Sequence, residues 1–260
     1  MKTFKKFLAL TLAVLFVLTA FAGCGDKSSG DKSSGSKSSG GTLVMATNAS
    51  FPPYEFKGDS GEIEGIDAEI AQKIADKLGM ELEIKDTEFD SIIGGVQSGK
   101  FSMGMAGMTV TEERLQSVNF SETYAKGVQV IIVKEDSEIA GPDDLSDVMI
   151  GVQQSTTGHI YAADDYGEDH VTPYKTGNDA VQALVANKVN AVIIDNEPAK
   201  SYVESNPGLK ILDTAYAEED YAICVAKENT DLLDQINGAL AELKADGTID
   251  AIIAKYIPAA

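Results

Sequence analysis

"GVQVIIVKE" at residues 127–135 and "DYAICVAK" at residues 220–227 decide the fold. The first is rich in β-branched residues and predicts a long strand, and the second is an alternating apolar run that predicts another. Between them lies the block 128–221, the right size for a complete small α/β lobe. If both strands cross between lobes, the first lobe is built from residues 42–127 plus 222–260 and the second from 128–221. Two crossings make a hinge, and the groove between the lobes is then the natural place for a ligand.

The segments on either side alternate in the same way. "TLVMATNA" predicts a buried strand, and "GIDAEIAQKIADKLGM" a helix with Ile66, Ile70, Ile74 and Leu78 on one face, stopped at Gly79. "ELEIKD", the short helix "DSIIGGVQSGK", the strand "FSMGMAG" and the helix start "TEERLQSV" follow. The second block repeats the logic from "VMIGVQQS" to "LKILDT", and the chain finishes in two helices, "NTDLLDQINGALAELKADG" and "TIDAIIAKY". Strands alternating with helices imply parallel sheets covered on both faces.

Residues 1–23 are a segment of another kind: Lys2, Lys5 and Lys6 precede the apolar run "FLALTLAVLFVLTAFA", which is too short for a comfortable membrane span. This is the pattern of a secretory signal. "FAGCG" then leads small residues into Cys24 and resembles a bacterial lipobox, with Phe21 where leucine is usual. It implies a lipidated, palmitate-bearing Cys24 and a membrane anchor on the extracellular or periplasmic face. Residues 25–41, "GDKSSGDKSSGSKSSGG", have no apolar side chain, so 24–41 reads as a flexible tether. As a Gly/Ser coil it would span roughly 20–25 Å.

The 260 residues are 43% hydrophobic and 24% charged, ordinary for a soluble globular body. The net charge of -20 argues against nucleic acid, or an anionic membrane surface, as partner of the folded part. With Cys24 acylated, Cys224 has no disulfide partner, and its alternating apolar context predicts a small buried hydrophobe. Of the 21 basic residues, 20 are lysine. The lone arginine, Arg114, offers a planar two-pronged donor that matches a carboxylate, whereas an ammonium is a point donor.

The segments "ATNASFPPYEF" (46–56), "GIDAEIAQKIADKLG" (65–79), "FDSIIGGVQSGKF" (89–101), "AGMTVTEERLQSVNFSETY" (106–124), "IGVQQSTTG" (150–158), "NAVIIDNEPA" (190–199) and "DGTIDAIIAKY" (246–256) together resemble the polar amino acid-binding proteins of ABC importers. The combination of "GMTVTEER" with "FS-x-x-Y" is the most specific part. The resemblance implies the two-lobed type II periplasmic binding protein fold, with two mixed sheets flanked by helices and joined by a two-strand hinge. It also implies a monomer that captures a free amino acid by hinge closure and presents it to the permease subunits of an ABC transporter.

A free amino acid is a zwitterion, so a site that takes it out of water must replace the hydration of one carboxylate and one ammonium. The resemblance assigns Arg114 to the ligand α-carboxylate, Thr109 to hydrogen bonds with the ligand, and the Gly107 carbonyl to the ammonium. The alternative for Arg114 is an ion pair with Glu112, Glu113 or another acid on the surface. From the second block, "QQSTTG" resembles an anion-receiving strand-to-helix turn that supplies Thr156 and Thr157, although Ser155 stands where glycine is common. A plain capped helix start is compatible with the same residues. Asp195, at the end of "NAVIID", would take the ammonium by resemblance, or serve only as a helix cap. Phe51 and Phe89 match two aromatic walls, or are simply core. Asn48 falls where many members carry an aspartate that reads the ligand side chain; its neutral amide weakens the case for a strongly cationic ligand, which an acid such as Glu55 could offset. Gln153 is a further candidate for side-chain recognition.

No pair of the two histidines with acids or cysteine has metal-ligand spacing, and neither a nucleophile elbow nor a P-loop occurs, so no metal, cofactor or catalytic residue is expected. The runs "SGEIEG" and "AEED", with Glu62, Glu64, Glu218, Glu219 and Asp220, read as solvated surface. Two rivals remain: a cyclohexadienyl dehydratase-like enzyme on the same fold, which would also need an arginine for a carboxylate, and a surface adhesion lipoprotein with no saturable small ligand.

Overall fold

The computed structural model describes residues 40–258, and the expected signal segment, Cys24 and the tether 24–41 lie outside the described residues except at their very end. The described residues all fall within one compact unit. In chain order its strands are β1 (Thr42–Thr47), β2 (Ser50–Phe51), β3 (Glu55–Lys57), β4 (Ile63–Glu64), β5 (Glu81–Asp86), β6 (Met103–Gly104), β7 (Val118–Phe120), β8 (Ala125–Lys134), β9 (Ile150–Gln153), β10 (Val171–Tyr174), β11 (Ala191–Asp195), β12 (Leu209–Ile211), β13 (Ala217–Tyr221) and β14 (Cys224–Ala226). The helices are α1 (Ile66–Leu78), α2 (Ile92–Gln97), α3 (Glu112–Ser117), α4 (Thr157–Tyr166), α5 (Gly177–Val185), α6 (Asn196–Ser205), α7 (Thr230–Ala245) and α8 (Thr248–Tyr256).

Two mixed sheets organise the chain, with strand orders β5-β1-β6-β14-β7 and β10-β9-β11-β8-β12, and β13 also pairs with β8. The strands linked by helices are parallel to one another, as alternation requires. The departure from an all-parallel arrangement comes from the chain's crossings. β8 enters the second sheet antiparallel to β11, β12 and β13, and β14 returns to the first sheet antiparallel to β6 and β7. A small hairpin sheet, β2-β3-β4, lies beside the first.

"DYAICVAK" is therefore two strands rather than one. β13 belongs to the second sheet and β14 to the first, with Ala222 and Ile223 between them. The outward crossing does the same, because β7 and β8 are separated by Ser121–Tyr124. The two crossing segments hydrogen-bond to each other: Ser121 N to Ile223 O at 2.9 Å, Tyr124 N to Tyr221 O at 2.9 Å, and Ile223 N to Ser121 Oγ at 3.0 Å. They make a two-strand hinge.

Each sheet carries its own core. Ile66, Ile70 and Ile74 of α1 are fully buried against Leu43 and Met45 of β1 and against Ile236 and Leu240 of α7, and Leu78 is partly buried on the same face. Gly79 closes α1 in the left-handed conformation, φ 66°, that an L side chain resists. In the second sheet every residue of β11 is buried, while Pro173, which cannot donate to a ladder, sits on the edge strand β10. "FSMGMAG" forms only the two-residue strand β6; Gly104 is there because a Cβ would lie 2.5 Å from Ile92 and 2.7 Å from the Cys224 sulfur. Cys224 is fully buried, and burial pushes its thiol up to about 12.

Candidate functional site

A partly enclosed cavity lies between the two sheets, and all ten candidate residues line it. From the first lobe, Asn48 follows β1, Phe51 ends β2, and Phe89 opens a short 3-10 turn before α2. Both phenylalanines are only half-buried, leaving ring surface toward the cavity. Gly107 has φ 52°, and a Cβ there would sit 2.8 Å from the Phe51 ring, so only glycine fits. Thr109 is buried and bridges to Tyr221.

Arg114 is 7% exposed, which rules out the surface ion pair with Glu112 or Glu113. Thr111 caps α3 by accepting from Arg114 N at 3.2 Å, and that turn aims the side chain inward. The guanidinium donates from Nη1 to Thr109 O at 2.8 Å and from Nη2 to Ser155 O at 3.0 Å, and its carbon lies 5.4 Å from the Phe89 ring centroid. Burial lowers its pKa and Glu219 opposes that shift; a guanidinium keeps its charge under such conditions.

The second lobe presents the turn from β9 into α4. Ser155 adopts φ 63°, so a serine holds the left-handed conformation where glycine was the expectation of the resemblance. Thr156 caps α4, its Oγ accepting from His159 N at 3.3 Å and donating to Gln153 O at 2.8 Å. Thr157, in the first turn, is buried. Gln153 donates from Nε2 to Asn48 Oδ1 at 2.9 Å, so the two candidate side-chain readers bond to each other across the groove. The Tyr202 hydroxyl donates to Ser50 O, and Lys175 faces Glu88 at 3.4 Å, further ties between the lobes.

Asp195 is both a cap and a cavity residue. Its Oδ1 accepts from Glu197 N at 3.2 Å at the start of α6, and its Oδ2 accepts from Val128 N at 3.0 Å and from the Tyr221 hydroxyl. Burial raises its carboxyl to about 7 despite those donors. Gly127 permits the arrangement, since a Cβ there would lie 2.5 Å from both Asp195 Oδ2 and the Tyr221 oxygen.

Three polar residues of the cavity lining were not among the site candidates: Gln129, Glu219 and Tyr221. "AEED" is not uniformly solvated. β13 alternates, so Glu218 and Asp220 face solvent while Glu219 is 6% exposed and accepts from Gln129 Nε2 at 2.9 Å. The period-2 pattern of "AEEDY" carries that signal; the acidity of the run obscures it. Glu62 and Glu64 are exposed as expected. Among the described residues no group of three His, Cys, Asp or Glu could hold a metal ion, and no helix is long and apolar enough to cross a membrane.

A single buried guanidinium, several buried carboxyls and two aromatic rings line a cleft between hinged α/β lobes, the architecture of a solute-binding protein. Residues 43–259 match the family of bacterial extracellular solute-binding proteins, family 3, and the chain belongs to that family. It is 32% identical to the arginine-binding extracellular protein ArtP of Bacillus subtilis over 97% of this chain and 98% of that one. Among solved structures, an ancestral arginine-binding protein bound to glutamine superposes with a TM-score of 0.80 at 40% identity, covering 84% of this chain and 98% of the other. The ancestral amino acid-binding protein AncCDT-1, a precursor of cyclohexadienyl dehydratase, gives 0.77 at 32% identity over 83% and 95%.

Proposed function

We propose that this protein captures a free polar amino acid between its lobes and presents it to the permease of an ABC importer. The observation that carries the reading is the chain's only arginine, buried in the cavity with Asp195 buried on the opposite lobe. Arg114, with Thr156 and Thr157 at the α4 N-terminus, receives the ligand carboxylate. Asp195, Thr109 and the Gly107 carbonyl receive the ammonium. Asn48, Phe51, Phe89 and Gln153 surround the side chain. Residues 42–127 with 222–260 and residues 128–221 move as two bodies about the hinge, and each supplies half of the contacts, so the ligand favours the closed form.

The protein works as a monomer held at the extracellular or periplasmic face of the membrane by lipid on Cys24, with residues 25–41 as tether. It carries no catalytic residue, and ATP hydrolysis belongs to separate subunits. The relatives named as binding proteins support this over a dehydratase activity.

A thermal-shift screen of residues 42–260 against the common amino acids, after unfolding and refolding to strip bound ligand, tests the reading. A ligand bound only by the native state raises the melting temperature. At least one polar amino acid should do so; a flat response across the panel would overturn the proposal, as would product formation from prephenate or arogenate.

A further inference from the structure

Glu55 lines the cavity from β3 and is 1% exposed, while Asp67, in the first turn of α1, lies behind it and is fully buried. Asp67 Oδ2 accepts from Gly107 N and from the Tyr124 hydroxyl, each at 2.9 Å. Its Oδ1, like Glu55 Oε2, receives no donor from elsewhere in the described residues. The two carboxyls instead lie within hydrogen-bonding reach of each other. Two ionised carboxylates have only lone pairs to offer, so that contact is a bond only if one of them carries a proton.

The surroundings select the proton's owner. The charged groups acting on Glu55 are acids, Asp67 on α1 and Asp195 at the end of β11, and the Tyr54, Tyr124 and Tyr202 hydroxyls pack around them without positive charge. Burial first, and then Asp67, push the Glu55 carboxyl well above its ordinary value. Asp67, also raised by burial but offset by donors from Gly107, Tyr124 and Glu55, reaches about 6. Glu55 is the donor and Asp67 the acceptor.

We propose that Glu55 and Asp67 share one proton in the ligand-free protein, that a cationic ligand side chain expels it to water, and that a neutral side chain leaves it in place. The inference rests on the amino acid reading above and concerns how that same site selects its ligand. With the proton retained, the free Glu55 oxygen accepts from an amide N–H. With the proton gone, the ionised Glu55 pairs with a guanidinium or ammonium. One positive charge enters as one leaves, so the buried charge stays constant and neither ligand class is excluded.

The consequence is a preference that depends on pH. Expelling a proton makes cationic binding stronger as pH rises, so preference for a cationic over a neutral amino acid grows about tenfold per pH unit while the pair holds its proton. Titration of Asp195 affects both classes equally, because each brings the same α-ammonium, and it cancels in the ratio.

Calorimetry of the purified protein with L-arginine and L-glutamine as probes, in buffers of different ionisation enthalpy, measures the protons released. Arginine should release about one proton more than glutamine, and the arginine-to-glutamine affinity ratio should rise about tenfold between pH 6.5 and 7.5. Glu55→Gln should abolish both differences, whatever its effect on the affinities themselves; if that variant fails to fold, the wild-type comparison alone decides. Equal proton release with a constant ratio overturns the inference and leaves the amino acid site standing. Failure of both probes to bind overturns the inference, whereas the amino acid reading falls only with a flat response across the whole panel.

Discussion

Arg114 occupies a position that lysine could not fill with the same geometry. Its two terminal nitrogens reach carbonyls on different lobes, Thr109 O and Ser155 O, and its planar face lies against Phe89. A lysine ammonium would retain the charge but lose the fork and the stacking. Arg114→Lys should therefore leave the fold intact, judged by an unchanged far-UV spectrum and cooperative melting. Binding of the cognate amino acid should weaken by about 1.5–3 kcal/mol, the scale of a charge-assisted hydrogen bond. In titration calorimetry that is roughly a ten- to 150-fold rise in Kd. An unchanged Kd would take Arg114 out of the site. Arg114 stood out in the sequence because arginine was unique among twenty-one cations; its bond to Ser155 O did not, because a backbone acceptor leaves no mark on composition.

At the scale of elements, the turn between β9 and α4 does two jobs with one backbone path. It turns the Ser155 carbonyl toward Arg114 and opens α4 with the Thr156 cap facing the cavity. That path requires φ 63° at a serine, at a cost of about 1 kcal/mol relative to a residue without a Cβ. Ser155→Gly should raise stability by about that amount in urea titration, with ligand affinity unchanged because the group Arg114 uses is backbone. A destabilised variant would show that the serine side chain, rather than the turn, holds this junction. The repeated strand–helix pattern made nearly every element of the second lobe legible. It failed where the chain changes sheets: within "DYAICVAK" residues 221–226 form one unbroken apolar run, with Tyr221 buried at the cavity and Cys224 in the first-lobe core, so the pattern shows one strand where the backbone makes two. Glu219 was missed for the converse reason, since a buried acid in an acidic run looks like surface until its neighbours' alternation is counted.

For the whole molecule, a cavity that must hold a charged ligand is built from groups that destabilise the protein when the ligand is absent. Asp195 at about 7 and Asp67 at about 6 are both raised by burial from an ordinary value of 3.8, and burial raises Glu55 well above its ordinary value too. In the unfolded chain these groups ionise near pH 4, whereas in the folded, ligand-free protein Asp67 keeps its proton to about 6 and Asp195 to about 7, and Glu55 is raised in the same direction. The folded state thus binds more protons over that window, and stability must fall as pH rises through it. The contribution is fully present below pH 4 and is lost once the folded groups ionise. A tenfold difference in proton affinity between the folded and unfolded chain corresponds to about 1.4 kcal/mol, so the combined loss is on the order of several kcal/mol. For a domain of this size the ligand-free melting temperature should drop by roughly 5–15 °C from pH 5 to pH 7.5. The excess of acidic residues, net charge -20, acts in the same direction. On the proposed assignment of the ligand ammonium to Asp195, a saturating amino acid should flatten the slope, most strongly if its side chain is cationic. Differential scanning calorimetry across that range, with and without ligand, separates the two curves. A ligand-free melting temperature that rises from pH 5 to 7.5 would mean the cavity acids are ionised in the empty protein and that their burial is offset by donors stronger than the hydrogen bonds described here.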